Sequence, residues 1–161
     1  MLETALTAER TFTVPGQPIT KGSLKCVGRN GRHQLIESNP QTREYLGAVA
    51  MAATSLGLAL EPAQPVGVDL TCTLERPAFH HRSGRFAHLI REAAPRYPVR
   101  ARSGDIDKLS RLVLDALQQA GVLADDAQVV ELTARKLYPR HGPGALPRPG
   151  LVIRLYPIEQ P

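Results

Sequence analysis

Cysteine is scarce in this chain, and aromatic residues are few. The 161 residues include two cysteines, Cys26 and Cys72, which lie far apart with no second cysteine or histidine at metal-ligand spacing. A zinc site therefore has no support in the sequence, and buried free thiols are the better interpretation. No apolar run approaches the roughly 20 residues that a membrane helix needs. The opening stretch MLETALTAER carries acids where a secretory signal carries bases, so we expect a cytoplasmic protein with no membrane association.

Positive charge is concentrated in one segment. The chain has a formal net charge of +5, and residues 76–102 alone carry +6, because seven arginines there face a single acid, Glu92. This excess indicates either a nucleic-acid partner or a well-solvated surface. Apolar periodicity also disappears over residues 77–104, here called the basic loop, and a loop of this length is usually functional or disordered. Its three histidines, His80, His81 and His88, are interpreted as polar loop residues.

The remaining periodicity predicts a single α+β domain with a mixed, mostly antiparallel sheet and two main helices. A hairpin is predicted around Asn30-Gly31, a dipeptide that favours a type I′ turn. One helix is expected from Pro40 to Leu58, capped by Asn39, and the second ends at Gly121. Its buried stripe would comprise Leu109, Leu112, Val113, Ala116, Leu117 and Ala120. Further strands are predicted at residues 10–14, 66–75, 127–138 and 151–158.

Two pairs of aspartates bracket the second predicted helix. Asp105 and Asp107 open it, in extended chain whose alternate residues point the same way. The chain then returns along the core, which could bring Asp125 or Asp126 beside the first pair. Converging carboxylates repel one another unless a cation neutralises them, and hard oxygen ligands suit Mg²⁺ or Mn²⁺. The plainer alternatives are helix capping for the first pair and a solvated turn for the second.

Basic side chains accompany these acids. Lys108 and Arg111, one turn apart, would reach toward a metal-bound phosphate or would form a solvated helix face. Asp115, one turn beyond Arg111, is predicted to pair with it. Lys136 falls on the apolar side of its strand, where it either extends past the strand end or faces the active-site groove.

The run from Asp105 to Glu131 resembles the RusA-type Holliday junction resolvases, endodeoxyribonucleases of bacteria and their phages. The family pattern has Asp-x-Asp, a polar residue and Leu, then a basic residue, Leu-Asp-Ala-Leu, and finally Asp-Asp-(Ala/Ser)-Gln-Val-Val before a strand. In this chain the corresponding stretches are DIDKL at 105–109, Arg111, LDAL at 114–117 and DDAQVV at 125–130. The resemblance is looser elsewhere in the chain.

This resemblance implies a homodimer whose subunits each bind Mg²⁺, with Mn²⁺ as the alternative. The implied ligands are Asp105, Asp107 and Asp126, with Asp125 as a further candidate. The chain departs from the family at Lys108, where asparagine is common, and at Arg111, which occupies the position of the catalytic lysine. Arginine stays charged and binds phosphate bidentately, but it is a poorer proton donor than lysine. We therefore expect electrostatic stabilisation to persist at Arg111, with Lys108 sharing the role.

The function implied is a Mg²⁺-dependent, structure-specific endodeoxyribonuclease, bacterial or phage-encoded, that resolves four-way DNA junctions by paired nicks. The alternatives are a non-catalytic DNA-binding or phage regulatory protein on the same scaffold, and a nuclease for other branched DNA. The implied catalytic residues are Asp105, Asp107, Asp126, Arg111 and Lys108. The predicted DNA-phosphate contacts are Lys21, Lys25, Arg29, Arg32, Arg82, Arg85, Arg100, Arg102 and Lys136.

Overall fold

The computed structural model describes residues 2–21, 40–100 and 103–159 in full, and the backbone of residues 24–29 and 32–37. Within these residues, two α-helices and six strands make up the regular structure, together with short 3₁₀ turns. The helices are α1 (Pro40–Thr54) and α2 (Ile106–Gln119). The strands are β1 (Arg10–Pro15), β2 (Leu24–Arg29), β3 (Arg32–Glu37), β4 (Val66–Thr73), β5 (Val129–Leu137) and β6 (Gly150–Pro157).

Four of the strands form one mixed sheet in the order β1-β6-β4-β5. The β1–β6 and β6–β4 pairs are antiparallel, whereas β4 and β5 are parallel. A parallel pair needs a long crossover, and residues 74–128, which include α2, provide it. The predicted α+β class with a mostly antiparallel sheet is therefore confirmed. β5 lies at one edge of this sheet.

The predicted hairpin is confirmed as an antiparallel β2–β3 pair that forms a separate two-stranded sheet. Its predicted turn, Asn30-Gly31, lies outside the described residues, as does the predicted cap Asn39. The side chains of Lys25, Arg29 and Arg32 also lie outside them.

The core lies between the two helices and one face of the sheet. Alternate β4 residues Val66, Val68, Leu70 and Cys72 are buried on that face, as the period of two predicted. The α2 stripe from Leu109 to Leu117 is likewise confirmed. Each fully buried aliphatic side chain contributes about 1.5–3 kcal/mol through the hydrophobic effect. The core therefore fixes one side of α2 and leaves the neighbouring strip of the helix accessible for chemistry.

The two helix ends differ in how well the sequence predicted them. Gly121 follows α2 with φ +71°, the left-handed conformation expected of a helix stop. The prediction that α1 continues to Leu58 is wrong, because the helix ends at Thr54. Tighter turns follow it. The Leu56 amide donates to the Ala53 carbonyl at 3.0 Å, and the Gly57 amide donates to the Thr54 carbonyl at 3.1 Å. Gly57 has φ +64°. Neither described helix is long and apolar enough to cross a membrane.

The other face of the sheet is polar. Asp69 pairs with Arg135 at 3.0 Å and with Arg154 at 3.5 Å. The ring of Tyr156 lies directly against Gly67, where a Cβ atom would come within 2.1 Å of it. The candidate site lies elsewhere, at the sheet edge beside α2.

Candidate active site

An open groove of about 470 Å³ lies between α2 and the edge strand β5. Successive turns of α2 form one wall, and two β5 residues form the other. The lining residues are Ile106, Asp107, Ser110, Arg111, Leu114, Asp126, Leu132 and Ala134. The α2 members recur at helical spacing on the side of the helix next to its buried stripe. The groove thus uses a strip of α2 that the core leaves accessible.

Two carboxylates and one guanidinium line this groove. Asp107 lies in the first turn of α2, and Arg111 follows one turn later. Asp126 begins a short 3₁₀ turn, Asp126–Gln128, just before β5. All three side chains are exposed. The return of the chain along the core therefore brings one acid of the second pair to the same groove as Asp107, as the spacing predicted, while the roles of these residues stay predictions.

Asp105 has a different partner. It occupies the N-cap position of α2, but its side chain makes no capping hydrogen bond. Its carboxylate instead pairs with the Lys108 ammonium at 2.8 Å. The hydrogen bond and the charge of Lys108 lower the pKa of Asp105, and Lys136 adds a smaller effect in the same direction. Asp105 is therefore ionised at neutral pH, with Lys108 as its paired cation.

The donor chemistry of the groove fits a hard divalent cation, since carboxylate oxygens are the ligands that Mg²⁺ prefers. In the described part of the chain, no three acidic, histidine or cysteine side chains lie close enough together to hold a metal ion. For Asp105, Asp107 and Asp126 to bind one metal ion, as predicted, the Asp105 carboxylate would have to leave the Lys108 ammonium and bind the metal instead. The Asp105–Lys108 pair is exposed, with 60% and 47% of the two side chains accessible, and exposed pairs are held weakly.

Asp125 and Asp126 have separate surroundings although they are adjacent. The Asp125 carboxylate accepts a hydrogen bond from the Ala127 amide at 2.9 Å and caps the 3₁₀ turn. It lines a different hollow, beside Pro62 and Val130. The capping alternative considered for the first acidic pair therefore applies to Asp125, while Asp126 faces the groove.

Gln128 is a supporting residue that sequence reasoning missed. Its buried side-chain oxygen accepts hydrogen bonds from the amides of Ala124 at 2.7 Å and Asp125 at 3.2 Å. Its amide group donates to the Glu61 carbonyl at 2.8 Å, across 67 residues of sequence. Gln128 therefore fixes the turn that presents Asp126. The Asp-x-x-Gln capping-box spacing was the signal that could have identified it.

Lys136 holds the turn that precedes Asp105. In the parallel register it lies opposite Cys72, which confirms its place on the apolar side of β5. Its ammonium donates to the Gly104 carbonyl at 2.7 Å and to the Ser103 hydroxyl at 3.2 Å. Gly104 has φ +76°, and a Cβ atom there would lie 2.3 Å from Thr20. These contacts favour a positioning role for Lys136, and its predicted DNA contact stays a prediction.

With Asp105 as a metal ligand of a nuclease, as the resemblance implies, replacing Lys136 with methionine is expected to slow DNA cleavage about ten- to a hundredfold, the range typical for residues that orient a metal ligand. The Gly104 carbonyl would lose its charged partner, and Asp105 would be less firmly placed. DNA affinity should keep its dependence on salt, which filter binding across salt concentrations can measure. Exposed Arg82 is the matched control, because an Arg82→Gln change should reduce the salt slope by about 1. An equal reduction for Lys136→Met would show a direct phosphate contact instead.

The expected ion pair between Asp115 and Arg111 is wrong. Asp115 pairs instead with Lys21, which lies 94 residues earlier, in the segment that follows β1. Both side chains are about 30% exposed, so the pair links that segment to α2 at the protein surface. Arg111 is left to line the groove and, within the described residues, has no ion-pair partner. The predicted DNA contact of Lys21 stays a prediction.

The basic loop contains two short 3₁₀ turns, Ala78–His80 and Gly84–Phe86, and a bridge between His81 and Ile90. The predicted phosphate contacts Arg82, Arg85 and Arg100 are exposed there. Two of these arginines lie over aromatic rings, Arg85 over Phe86 at 4.8 Å and Arg100 over Phe79 at 4.6 Å. Arg102 lies outside the described residues.

His80 is buried, so its interpretation as a polar loop residue is wrong. Only 2% of its surface is accessible, and it packs edge-on against Phe79 and Tyr138 with ring centroids 4.5 Å and 5.7 Å away. Neither ring nitrogen has a hydrogen-bond partner among the described residues. Burial lowers the pKa of His80, and the charges of Arg76, Arg100 and His81 lower it further.

The buried histidine predicts a dependence of stability on pH. Below the ordinary histidine pKa of about 6.5, the unfolded chain binds a proton that folded His80 resists, so the free energy of unfolding should fall as pH is lowered. Thermal melting between pH 7.5 and pH 5 would show this decrease. The decrease should be shallower in His80→Phe and unchanged in His88→Gln, because His88 is exposed. Parallel curves for wild type and His80→Phe would contradict the prediction.

Acidic and arginine side chains in an open groove, flanked by a basic loop, define a class of site that handles phosphate groups. The family model of Endodeoxyribonuclease RusA matches residues 15–146, which is most of the chain. The protein therefore belongs to the RusA endodeoxyribonuclease family. No curated protein sequence matches it significantly.

Proposed function

We propose that this protein is a Mg²⁺-dependent endonuclease that resolves four-way DNA junctions by paired nicks and acts as a homodimer in the bacterial cytoplasm. Membership of an endodeoxyribonuclease family supports cleavage of DNA phosphodiester bonds. The observation that carries the proposal to particular residues is the groove that Asp107, Asp126 and Arg111 line together.

The carboxylates of Asp107 and Asp126 would hold the metal, and Asp105 would join them on leaving Lys108. When bound, Mg²⁺ supplies Lewis-acid activation of the scissile phosphate and of the attacking water. The Arg111 guanidinium lies in the same groove and would bind the non-bridging phosphate oxygens, stabilising the negative charge that develops there. Lys108, once released by Asp105, would add a second positive charge on the preceding turn.

DNA would be held mainly through its phosphates. Arg82 and Arg85 are exposed on the basic loop, and the loop leads through Ser103 and Gly104 directly to the first aspartate. Phosphate contacts position a duplex without reading its sequence. A branched substrate would therefore be selected by the arrangement of its arms more than by bases.

A homodimer suits this substrate because a four-way junction has approximate two-fold symmetry. In a dimer of that symmetry the same surface is used twice, which places two equivalent grooves at related phosphates on opposed strands. Paired symmetric nicks follow from that arrangement.

The decisive experiment is incubation of the protein with a labelled four-way junction, with and without Mg²⁺, followed by a denaturing gel. We expect symmetric nicks only when the metal is present. Matched flap and duplex substrates would test whether another branched structure is cut in preference. Binding without nicking at any Mg²⁺ concentration would overturn the enzyme assignment and support the non-catalytic alternative. Sedimentation of the protein would test the dimer separately.

A further inference from the structure

A second concave site lies beside the candidate active site, between the basic loop and the end of β5. This loop pocket has a volume of about 480 Å³. Its lining residues are Gln17, Leu74, Glu75, Pro77, Phe79, Arg100, Ser103 and Tyr138. Ser103 also accepts the hydrogen bond from Lys136 that fixes the turn before Asp105. The loop pocket and the acidic groove are therefore joined through one short, fixed stretch of backbone.

The loop pocket has a rigid floor and an exposed aromatic wall. Leu74 and Tyr138 are almost fully buried, whereas 51% of Phe79 is accessible. Phe79, His80 and Tyr138 form a continuous series of edge-on ring contacts, which holds the Phe79 ring in place. Fixed and partly exposed aromatic rings are the platforms on which nucleic-acid bases stack.

Positive charge surrounds these rings. The Arg100 guanidinium lies over the Phe79 ring, and that of Arg76 lies over Tyr138 at 3.9 Å. A base stacked on Phe79 would bring its own phosphate beside Arg100. An arginine next to a stacking ring therefore matches both parts of a nucleotide.

The rim of the loop pocket carries groups that can bond the edge of a base. The Gln17 side-chain oxygen accepts a hydrogen bond from the Glu75 amide at 2.8 Å, so its NH₂ group can donate to a ligand. The Glu75 carboxylate is exposed on the same rim and can accept a hydrogen bond. A phosphate alone would use neither the aromatic wall nor this carboxylate.

We propose that the loop pocket captures one unpaired base of the DNA, stacked on Phe79 with its phosphate at Arg100, next to the groove in which the strand is cut. The bases of an intact duplex are stacked inside the helix and cannot enter the pocket. The inference rests on the proposed function in that it assigns the pocket to a DNA substrate. It adds a requirement for local unpairing near the cleaved phosphate.

The test is the affinity of the full-length protein for a short single-stranded oligonucleotide, measured by fluorescence anisotropy without divalent metal so that no cleavage occurs. Phe79→Ala is expected to weaken binding about tenfold, the effect of losing one stacking platform. Phe79→Trp should restore it. Phe86→Ala is the matched control, because Phe86 is 43% accessible in the same loop and lies under Arg85, but does not line the pocket. Its effect should stay below about twofold.

Duplex binding by each variant serves as the folding control and should be unchanged. Equal affinities of Phe79→Ala and Phe86→Ala for the oligonucleotide would overturn the pocket assignment. A free nucleoside monophosphate that binds as tightly as the oligonucleotide would also overturn it, in favour of a small-molecule site. If wild type cuts junctions but Phe79→Ala binds single strands normally, the pocket assignment fails alone. If wild type neither binds nor cuts a junction, the proposed function and the pocket assignment both fail.

Discussion

Replacing Asp107 with asparagine is expected to reduce junction cleavage by at least about a hundredfold while leaving junction binding intact or stronger. Asparagine keeps the shape of the side chain but removes the negative charge that would hold the metal. Residues that merely orient a metal ligand already cost ten- to a hundredfold when changed, so a proposed ligand should cost at least the upper end of that range. Binding should survive because the removed charge repels DNA phosphates. Single-turnover cleavage and gel-shift assays on the same junction would measure the two effects.

Asp125→Asn provides the matched control for this change. Asp125 neighbours the other proposed ligand but caps a 3₁₀ turn, and asparagine caps as well as aspartate does. We therefore expect its cleavage rate to stay close to that of wild type. A variant at Asp107 that cuts normally, or a loss at Asp125 as large as that at Asp107, would show that the acidic groove has been assigned incorrectly.

Removing the Arg111 side chain is expected to have the second-largest effect. Arg111→Ala should slow cleavage about a hundred- to a thousandfold, the loss typical when one preorganised donor to a developing negative charge is removed. Arg111→Lys keeps the charge at the same helical position and restores the residue type of the family pattern, so it should lose less than about tenfold. The rates are best compared at saturating protein, where weaker DNA binding does not contribute.

Lys108→Ala separates the two basic residues of α2. Lys108 is tied to Asp105, whereas Arg111 lines the groove, so Lys108→Ala should slow cleavage less than Arg111→Ala does. Normal cleavage by Arg111→Ala together with a large loss at Lys108→Ala would reverse these roles. Lys108, on the first turn of the helix, would then be the side chain that stabilises the developing negative charge.

Local features of the sequence predicted much of the fold. The apolar stripe of α2 and its glycine stop depend on neighbouring residues, and both are confirmed. The alternation of β4 and the place of Lys136 on the apolar side of β5 follow in the same way from the period of a strand. The end of α1 was predicted less well, because competing turns at its last residues decide it.

Contacts between distant segments could not be predicted in this way. The partner of Asp115 is Lys21, from the segment that follows β1, and no pattern within α2 points to it. The bond from Lys136 to the Gly104 carbonyl also depends on where β5 lies in the sheet. The burial of His80 could not be predicted because it packs against Tyr138, which follows β5 and lies 58 residues later in the chain. Contacts between distant segments also decide that Asp107 and Asp126 line one groove, while Asp125 caps a turn.

The parallel pairing of β4 with β5 has a consequence for how the protein acquires activity. These strands are neighbours in the sheet, but residues 74–128 lie between them in the chain, so their pairing requires closure of a long loop. Contacts of this kind form slowly during folding, whereas a helix such as α2 forms from local contacts. Asp107 lies in the first turn of this helix, whereas Asp126 comes after the helix and directly before β5. A nascent chain would therefore carry both acids well before they could act together, because the groove is complete only once β5 has paired with β4.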